Sequence, residues 1–401
     1  MTAISPDEAL ACYGDGSLAL FTAVSDRPGL ARAPLARPRP TPCRGARFFT
    51  ACSGDDGAGF SVFFATISGV SGELAVGMAR REGGGGGGGG GGGLAVEREF
   101  AVPSAGAALG ASCAHISAAP AASEVFLFVG CASGAVRRYC FDAALGLRAD
   151  EERAVAEGSG PCCHAVAHSP ALPNVMFAAW CVGGGWAAAP ASIPPKRPPL
   201  RLFLSPPLTP PATTKQQQQH THAPARSGPA VHLLDFNSKG VQHKQIFSLD
   251  KGRESTITSV SLGDDWLVFG GTEAGGVVTW DRRMGQDVAA WHDGASVQHW
   301  RPREGGHRPC LHAGPVWALS GESGDLFSAG DDGCVRRVGL AGAHADGALE
   351  AATVLRAEAP LRALAWLTSN RQRQAGLGEG VLAAASEGGG VEWAVVALGG
   401  E

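Results

Sequence analysis

From one end of the chain to the other, short alternating runs of apolar residues flank tight turns built on Gly with Asp or Ser. The clearest copies are Leu326-Phe-Ser-Ala-Gly-Asp-Asp-Gly-Cys-Val-Arg-Arg-Val338 and Leu267-Val-Phe-Gly-Gly-Thr-Glu-Ala-Gly-Gly-Val-Val-Thr-Trp-Asp281. A period of two with a Gly turn between the runs predicts a β-hairpin, since alternate side chains of a strand face one side. The unit recurs at Leu10–Phe21, Phe48–Phe64, Leu127–Tyr139 and Val381–Trp393, with turn glycines at Gly16, Gly57, Gly134, Gly276 and Gly333. A seventh copy is split, with Val175–Cys181 as one strand and Val231–Phe236 as the other.

A further short apolar strand precedes several hairpins, at Ser112–Ile116, His164–His168, Ile257–Ser261, Val316–Leu319 and Leu361–Trp366. Three strands and a variable fourth, repeated about every 40 to 60 residues, are the arithmetic of a β-propeller blade. The expectation is all-β: one seven-bladed propeller over residues 1–398. No segment carries apolar residues at helical spacing over three turns. Because the first hairpin begins near residue 9, its first strand is expected to be short or missing.

The pattern resembles the WD40 family. Trp280-Asp281 closes one third strand, His312 precedes the strand Val316–Leu319, and Asp332 and Asp15 sit in Asp-Gly turns. The resemblance implies a buried hydrogen-bond chain through His312, Ser328 and Asp332 to a strand-end Trp. It also makes Asp56 a repeat position in the irregular second copy. This chain departs from the pattern, with Val338, Tyr139 and Phe21 where Trp280 stands in the best copy, and Ser133 for the turn Asp. Trp266, Trp317 and Trp366 lie in or beside predicted strands and are expected in blade cores.

Two segments do not belong to the repeat. Gly83 to Gly93 is an unbroken glycine run, which predicts a flexible loop, because such a run has maximal backbone entropy and no side chains to bury. Residues 182–230 carry Pro194-Pro-Lys-Arg-Pro-Pro199, Gln216–Gln219 and His220-Thr-His222. Pro- and Gln-rich sequence of this kind is disordered. Removing it brings Ala178–Cys181 close to Val231–Phe236 and restores a repeat of ordinary length. The segment therefore reads as a retained intron or a lineage-specific insertion.

Composition narrows the function. A net charge of −4 argues against a dedicated nucleic-acid or membrane binder. With no leader-like N-terminus and no apolar run of spanning length, the expectation is an intracellular protein of the cytoplasm, the nucleus or both. The 11 cysteines form no C-x-x-C pair and fall mostly in predicted strands, as small buried hydrophobes in a reducing compartment.

No residue set supports catalysis, metal binding or a cofactor. In Cys162-Cys163-His164 with His168, strand alternation is expected to put His164, Val166 and His168 on one face and Cys163 on the other, so no metal site is assembled. Asp55-Asp56 and Asp331-Asp332 lie in Gly turns, where Asp caps backbone N–H groups. The enzyme reading is accordingly the least favoured.

What remains is a scaffold for other proteins in a multisubunit complex. Arginine pairs recur near the ends of third strands, and Arg138, Arg337, Asp281 and Arg283 are the candidate partner-binding residues. Trp280-Asp-Arg-Arg283 fits the W-D-x-R pattern of WD40 proteins that dock on the adaptor of cullin-4 ubiquitin ligases, where Arg283 would make the contact. The irregular Phe48–Phe64 hairpin and the order of the later blades look like the small WD40 subunit of the nuclear-pore Y complex. Both are alternatives to the general scaffold.

Overall fold

The computed structural model describes residues 1–24, 29–35, 46–55, 60–69, 71–81, 94–102, 110–118, 124–142, 153–155, 162–168, 175–180, 230–237, 240–248, 256–263, 267–282, 298–299, 311–322, 324–339, 351–368 and 379–397. The glycine run and almost all of the Pro/Gln-rich segment lie outside them.

The described residues form seven small antiparallel sheets, each made of strands consecutive in the chain. Sheet 1 holds β1 (Thr2–Ala3), β2 (Glu8–Cys12), β3 (Leu18–Ala23) and β4 (Leu30–Pro34). Sheet 2 holds β5 (Ala46–Asp55), β6 (Phe60–Ser68), β7 (Leu74–Arg81) and β8 (Leu94–Ala101). Sheet 3 holds β9 (Ala111–Ala118), β10 (Glu124–Cys131), β11 (Val136–Asp142) and β12 (Arg153–Val155). Sheet 4 holds β13 (Cys163–His168), β14 (Val175–Trp180), β15 (Ala230–Asn237) and β16 (Gly240–Ser248). Sheet 5 holds β17 (Ile257–Leu262), β18 (Leu267–Thr272), β19 (Val277–Asp281) and β20 (Gln298–His299). Sheet 6 holds β21 (Val316–Glu322), β22 (Asp325–Gly330), β23 (Cys334–Gly339) and β24 (Ala351–Arg356). Sheet 7 has three strands, β25 (Leu361–Leu367), β26 (Glu379–Ser386) and β27 (Val391–Ala397).

The split hairpin joins as the pattern requires: β14 pairs with β15, with Ala179 opposite Val231. The second copy differs from its reading. Phe48–Phe64 spans the first and second strands of its sheet. The turn equivalent to the others lies between β6 and β7, where Gly72 has φ 67°. The long apolar run after Phe60 made the first hairpin look like the repeat unit. Asp56, placed in that turn by the pattern, lies outside the described residues.

Core packing runs between sheets. Leu10 and Leu20 meet Val62 and Phe64 between sheets 1 and 2, and Phe63 and Met78 meet Leu127 and Tyr139 between sheets 2 and 3. Phe128 meets Met176 and Phe236 between sheets 3 and 4, and Phe177 meets Val268 and Trp280 between sheets 4 and 5. Phe269 meets Leu326 and Val338 between sheets 5 and 6, and Phe327 meets Leu382 and Trp366 between sheets 6 and 7. Ala9, Ala19 and Phe21 of sheet 1 also share a cluster with Leu367, Val381 and Ala383 of sheet 7. Each first strand touches the next sheet's first strand, and β1 touches both β5 and β25. The arrangement fits a β-propeller. No helix among the described residues is long and apolar enough to cross a membrane.

Candidate interaction surface

Five hairpin turns share one design. Gly16, Gly134, Gly275, Gly333 and Gly389 all have φ between 70° and 87°, the left-handed region that glycine enters without Cβ strain. In sheet 5 the left-handed residue is Gly275, one position before the glycine picked out by the pattern. A Cβ there would lie 2.0 Å from the His312 carbonyl oxygen. The N–H two residues after the turn polar residue is capped by Asp15 at 2.8 Å, by Ser133 at 3.4 Å and by Asp332 at 3.1 Å. Where that residue is Ala274 or Gly388, the hydroxyl of Thr272 or Ser386 caps the same N–H from the other end of the turn. Two chemistries thus solve one hydrogen-bonding problem.

Beside the turns lie the residues leading into the first strands. Glu273, Asp331 and Glu387 in the turns donate their backbone N–H groups to the carbonyls of Thr256, Pro315 and Pro360. Turns and lead-ins therefore occupy one face. On this face the first strands of sheets 2 to 7 carry a bulge at their second residue. The pairing skips Arg47, Ser112, His164, Thr258, Trp317 and Arg362. A bulged residue leaves the ladder, and its side chain is re-aimed.

At two of these positions the side chain joins sheets. Ser112 Oγ donates toward the Gly130 and Cys163 carbonyls at 2.9 and 2.5 Å. Thr258 Oγ1 reaches those of Gly271 and Val316 at 3.2 and 2.6 Å. Trp317 and Arg362 are too large for that role and meet on the surface instead. The Arg362 guanidinium carbon lies 4.4 Å from the centre of the Trp317 ring. Trp317 Nε1 donates to Asp331 at 3.1 Å, Arg362 sits 3.2 Å from the same carboxylate, and it also grips Glu387. The Arg362, Asp331 and Glu387 side chains are 36 %, 41 % and 60 % exposed. Trp317, expected in a blade core, is thus only partly buried. The bulge is the reason, and it is invisible until the partner strand is in place. Trp366 does lie in the core, stacked on Phe327 at 5.4 Å, while Trp266 lies outside the described residues.

Beneath this surface the structure brings His312, Ser328 and Asp332 together. Asp332 Oδ1 lies 2.9 Å from His312 Nδ1, and Ser328 Oγ lies 2.8 Å from His312 Nε2. Nδ1 stands between an acceptor, the Asp332 carboxylate, and a donor, Arg336 Nη1 at 2.8 Å, while Nε2 faces the Ser328 hydroxyl, so either neutral tautomer finds partners. Burial depresses the His312 pKa more than Asp332 raises it. Burial alone would raise the Asp332 pKa, but bonds from His312, Arg336 and the Cys334 N–H hold it well below the carboxylate range. Arg336 binds Asp332 Oδ2 at 2.6 Å. Gly330 provides the room, since a Cβ there would fall 2.5 Å from His312 Nδ1. The chain stops at Ser328, because the strand-end position of this sheet is Val338. That position is buried whatever fills it: Trp280, Val338, Tyr139 and Phe21 are all 5 % exposed or less.

The arginines depart from the expected exposed pairs. Arg137 and Arg138 are buried at 8 % and 5 %, and Arg138 lies over the Phe126 and Phe236 rings at 5.4 and 5.5 Å. Facing the next sheet, Arg138 holds its guanidinium over the two rings in a cation–π contact. Arg337 pairs with buried Asp325 at 2.7 Å and donates to the Ala397 carbonyl at 2.6 Å, joining sheet 6 to sheet 7. Asp281 ends β19, but its side chain, like all of Arg283, lies outside the described residues. The bulge at His164 also breaks the alternation expected in β13. Cys163 shares a core with Val166, and its Sγ lies 4.0 Å from that of Cys113.

No protein-family model matches this chain, and no curated protein matches it in sequence. Among solved structures, the chain is similar to Sqt1 from Chaetomium thermophilum at 11 % identity and a TM-score of 0.53, over 100 % of this chain and 82 % of that one. It is also similar to the computationally designed Ika8 protein at 10 % identity and a TM-score of 0.48, over 98 % and 95 % of the two chains. At such identity the likeness to Sqt1 concerns the fold alone.

Proposed function

We propose that the seven sheets close into a seven-bladed WD40-like propeller, a non-catalytic scaffold that holds partner proteins on the face of the hairpin turns. Seven core clusters for seven sheets support closure, since an open row of seven would have one fewer. The observation that carries the functional reading is Trp317 under Arg362 at two successive bulges, flanked by exposed carboxylates. An aromatic ring and an arginine on a rigid frame are the residue types that dominate binding energy at protein interfaces.

The test is affinity purification of the tagged protein, with and without residues 182–230, beside Trp317→Ala and Arg362→Glu variants. The expected result is one stable set of partners, kept without the segment and lost in both point variants, whose thermal unfolding stays near wild type. Full recovery of the same partners by both variants would refute this face as the binding surface.

A further inference from the structure

Sheet 7 differs from its six sisters, having three strands among the described residues where each of the others has four. Its outer strand β27 carries the two large hydrophobic residues most open to solvent among the described residues, Trp393 at 43 % and Val395 at 40 %. They are two residues apart and share a face. Trp393 stands opposite Ala383, one residue short of the buried strand-end position held by Trp280 and Val338. That offset turns it away from sheet 6 and toward sheet 1.

The surroundings narrow what can cover this edge. β24 of sheet 6 touches β27 from one side. On the other side, a side chain built on Gly29, just ahead of β4, would begin 3.9 Å from the Trp393 ring. β27 therefore has β24 on one side and the segment leading into β4 on the other. A single open strand edge takes one extended segment. Exposed Glu392 points to the opposite face from Trp393, so the segment is complementary when it carries Lys or Arg there and apolar residues on the other side.

We infer that the β27 edge is a strand-addition site for an extended segment of a partner protein, apolar at alternate positions and basic opposite Glu392. Backbone bonds to an exposed edge give such binding its affinity, and the alternate side chains give it its selectivity. The site is separate from the Trp317–Arg362 surface, so each can fail without the other.

The test uses the full chain and a fluorescein-labelled synthetic peptide of alternating valine and lysine, with the same peptide carrying a central proline as control. The expected result is saturable anisotropy with the first peptide, weakened by about tenfold or more by the proline and by Trp393→Asp. Hydrogen exchange of residues 391–397 is read in the same samples. The alternate amides of this strand that turn away from β26 are expected to exchange quickly in the free protein and slowly with the peptide bound, a readout that needs no variant to fold. No saturable binding, equal binding by Trp393→Asp, or those outward amides already protected in the free monomer would overturn the inference. So would a concentration-dependent dimer that Trp393→Asp abolishes, because a second copy would then be the occupant.

Discussion

Replacing Asp332 by alanine tests how much the buried network at sheet 6 contributes to stability. The carboxylate accepts from His312 and from the Cys334 N–H through one oxygen, and from Arg336 and the Ala313 N–H through the other. The His312 side chain is wholly buried, so an Nδ1–H donated to Asp332 would lose its acceptor. An unsatisfied buried donor costs about 1–3 kcal/mol, and loss of the turn cap adds about 1 kcal/mol. Arg336 is partly exposed and adds little. The expected loss is about 2–4 kcal/mol, read from the shift of the urea midpoint at unchanged slope. Asp332→Asn keeps one acceptor oxygen and is expected to lose about half as much. Asp15→Ala is the internal control, since Asp15 caps one N–H in an exposed turn; about 0.5–1 kcal/mol is expected there. Equal losses for Asp332→Ala and Asp15→Ala would refute the reasoning, showing that the His312 arm contributes nothing beyond a turn bond. Coupling between Asp332→Ala and His312→Ala in a double-mutant cycle measures that arm directly.

Other expectations follow from the same geometry. Gly275→Ala is expected to lower the melting temperature sharply, because its φ is +85° and the His312 carbonyl blocks a Cβ, while Gly276→Ala meets only Thr272 Oγ1 at 3.1 Å and is expected to be mild; calorimetry separates the two. Gly270→Ala would set a Cβ 2.8 Å from the Trp280 ring, and overpacking of this kind costs about 1–3 kcal/mol in urea titration. Burial first, and then the charge of His168, push the His115 pKa down to about 3. The unfolded chain takes up that proton near pH 6.5, so the stabilisation is present above pH 6.5 and is lost as pH falls toward 3. His115→Gln is expected to flatten the acid limb of the stability curve by up to about 1.4 kcal/mol per pH unit. Cys52, its thiol pushed up to about 12 by burial, is expected to react with iodoacetamide at pH 8 far more slowly than in urea, as followed by mass spectrometry.

The parts of the fold legible in the sequence were those written into one strand at a time. Alternation located the second and third strands of most sheets, and the approach strands from Ser112 to Trp366 fall where the pattern put them. The split hairpin was readable because Ala178–Trp180 and Val231–Phe236 each keep their own period of two. His312, Ser328 and Asp332 were nameable from the family resemblance, although only the structure gives the part played by Arg336. What depends on pairing between strands was not readable. The bulges that expose Trp317 and Arg362, and that put Cys163 on the side of Val166, appear only once the partner strand fixes the register. Arg138 looked like a surface charge because a guanidinium lying over two phenyl rings leaves no mark in a hydropathy pattern. Trp393 looked like another strand end, and its offset by one residue decides between core and surface.

Closure of the ring underlies the whole account, and one cross-link tests it. The Thr368 N–H donates to the Pro6 carbonyl at 2.5 Å, placing sheet 7 against sheet 1. With Pro6→Cys and Thr368→Cys together, mild oxidation is expected to join the two positions within one molecule. Peptide mass spectrometry and a faster band on a non-reducing gel would report it. A cross-link found only between molecules, or none while the protein stays folded, would contradict the closed ring.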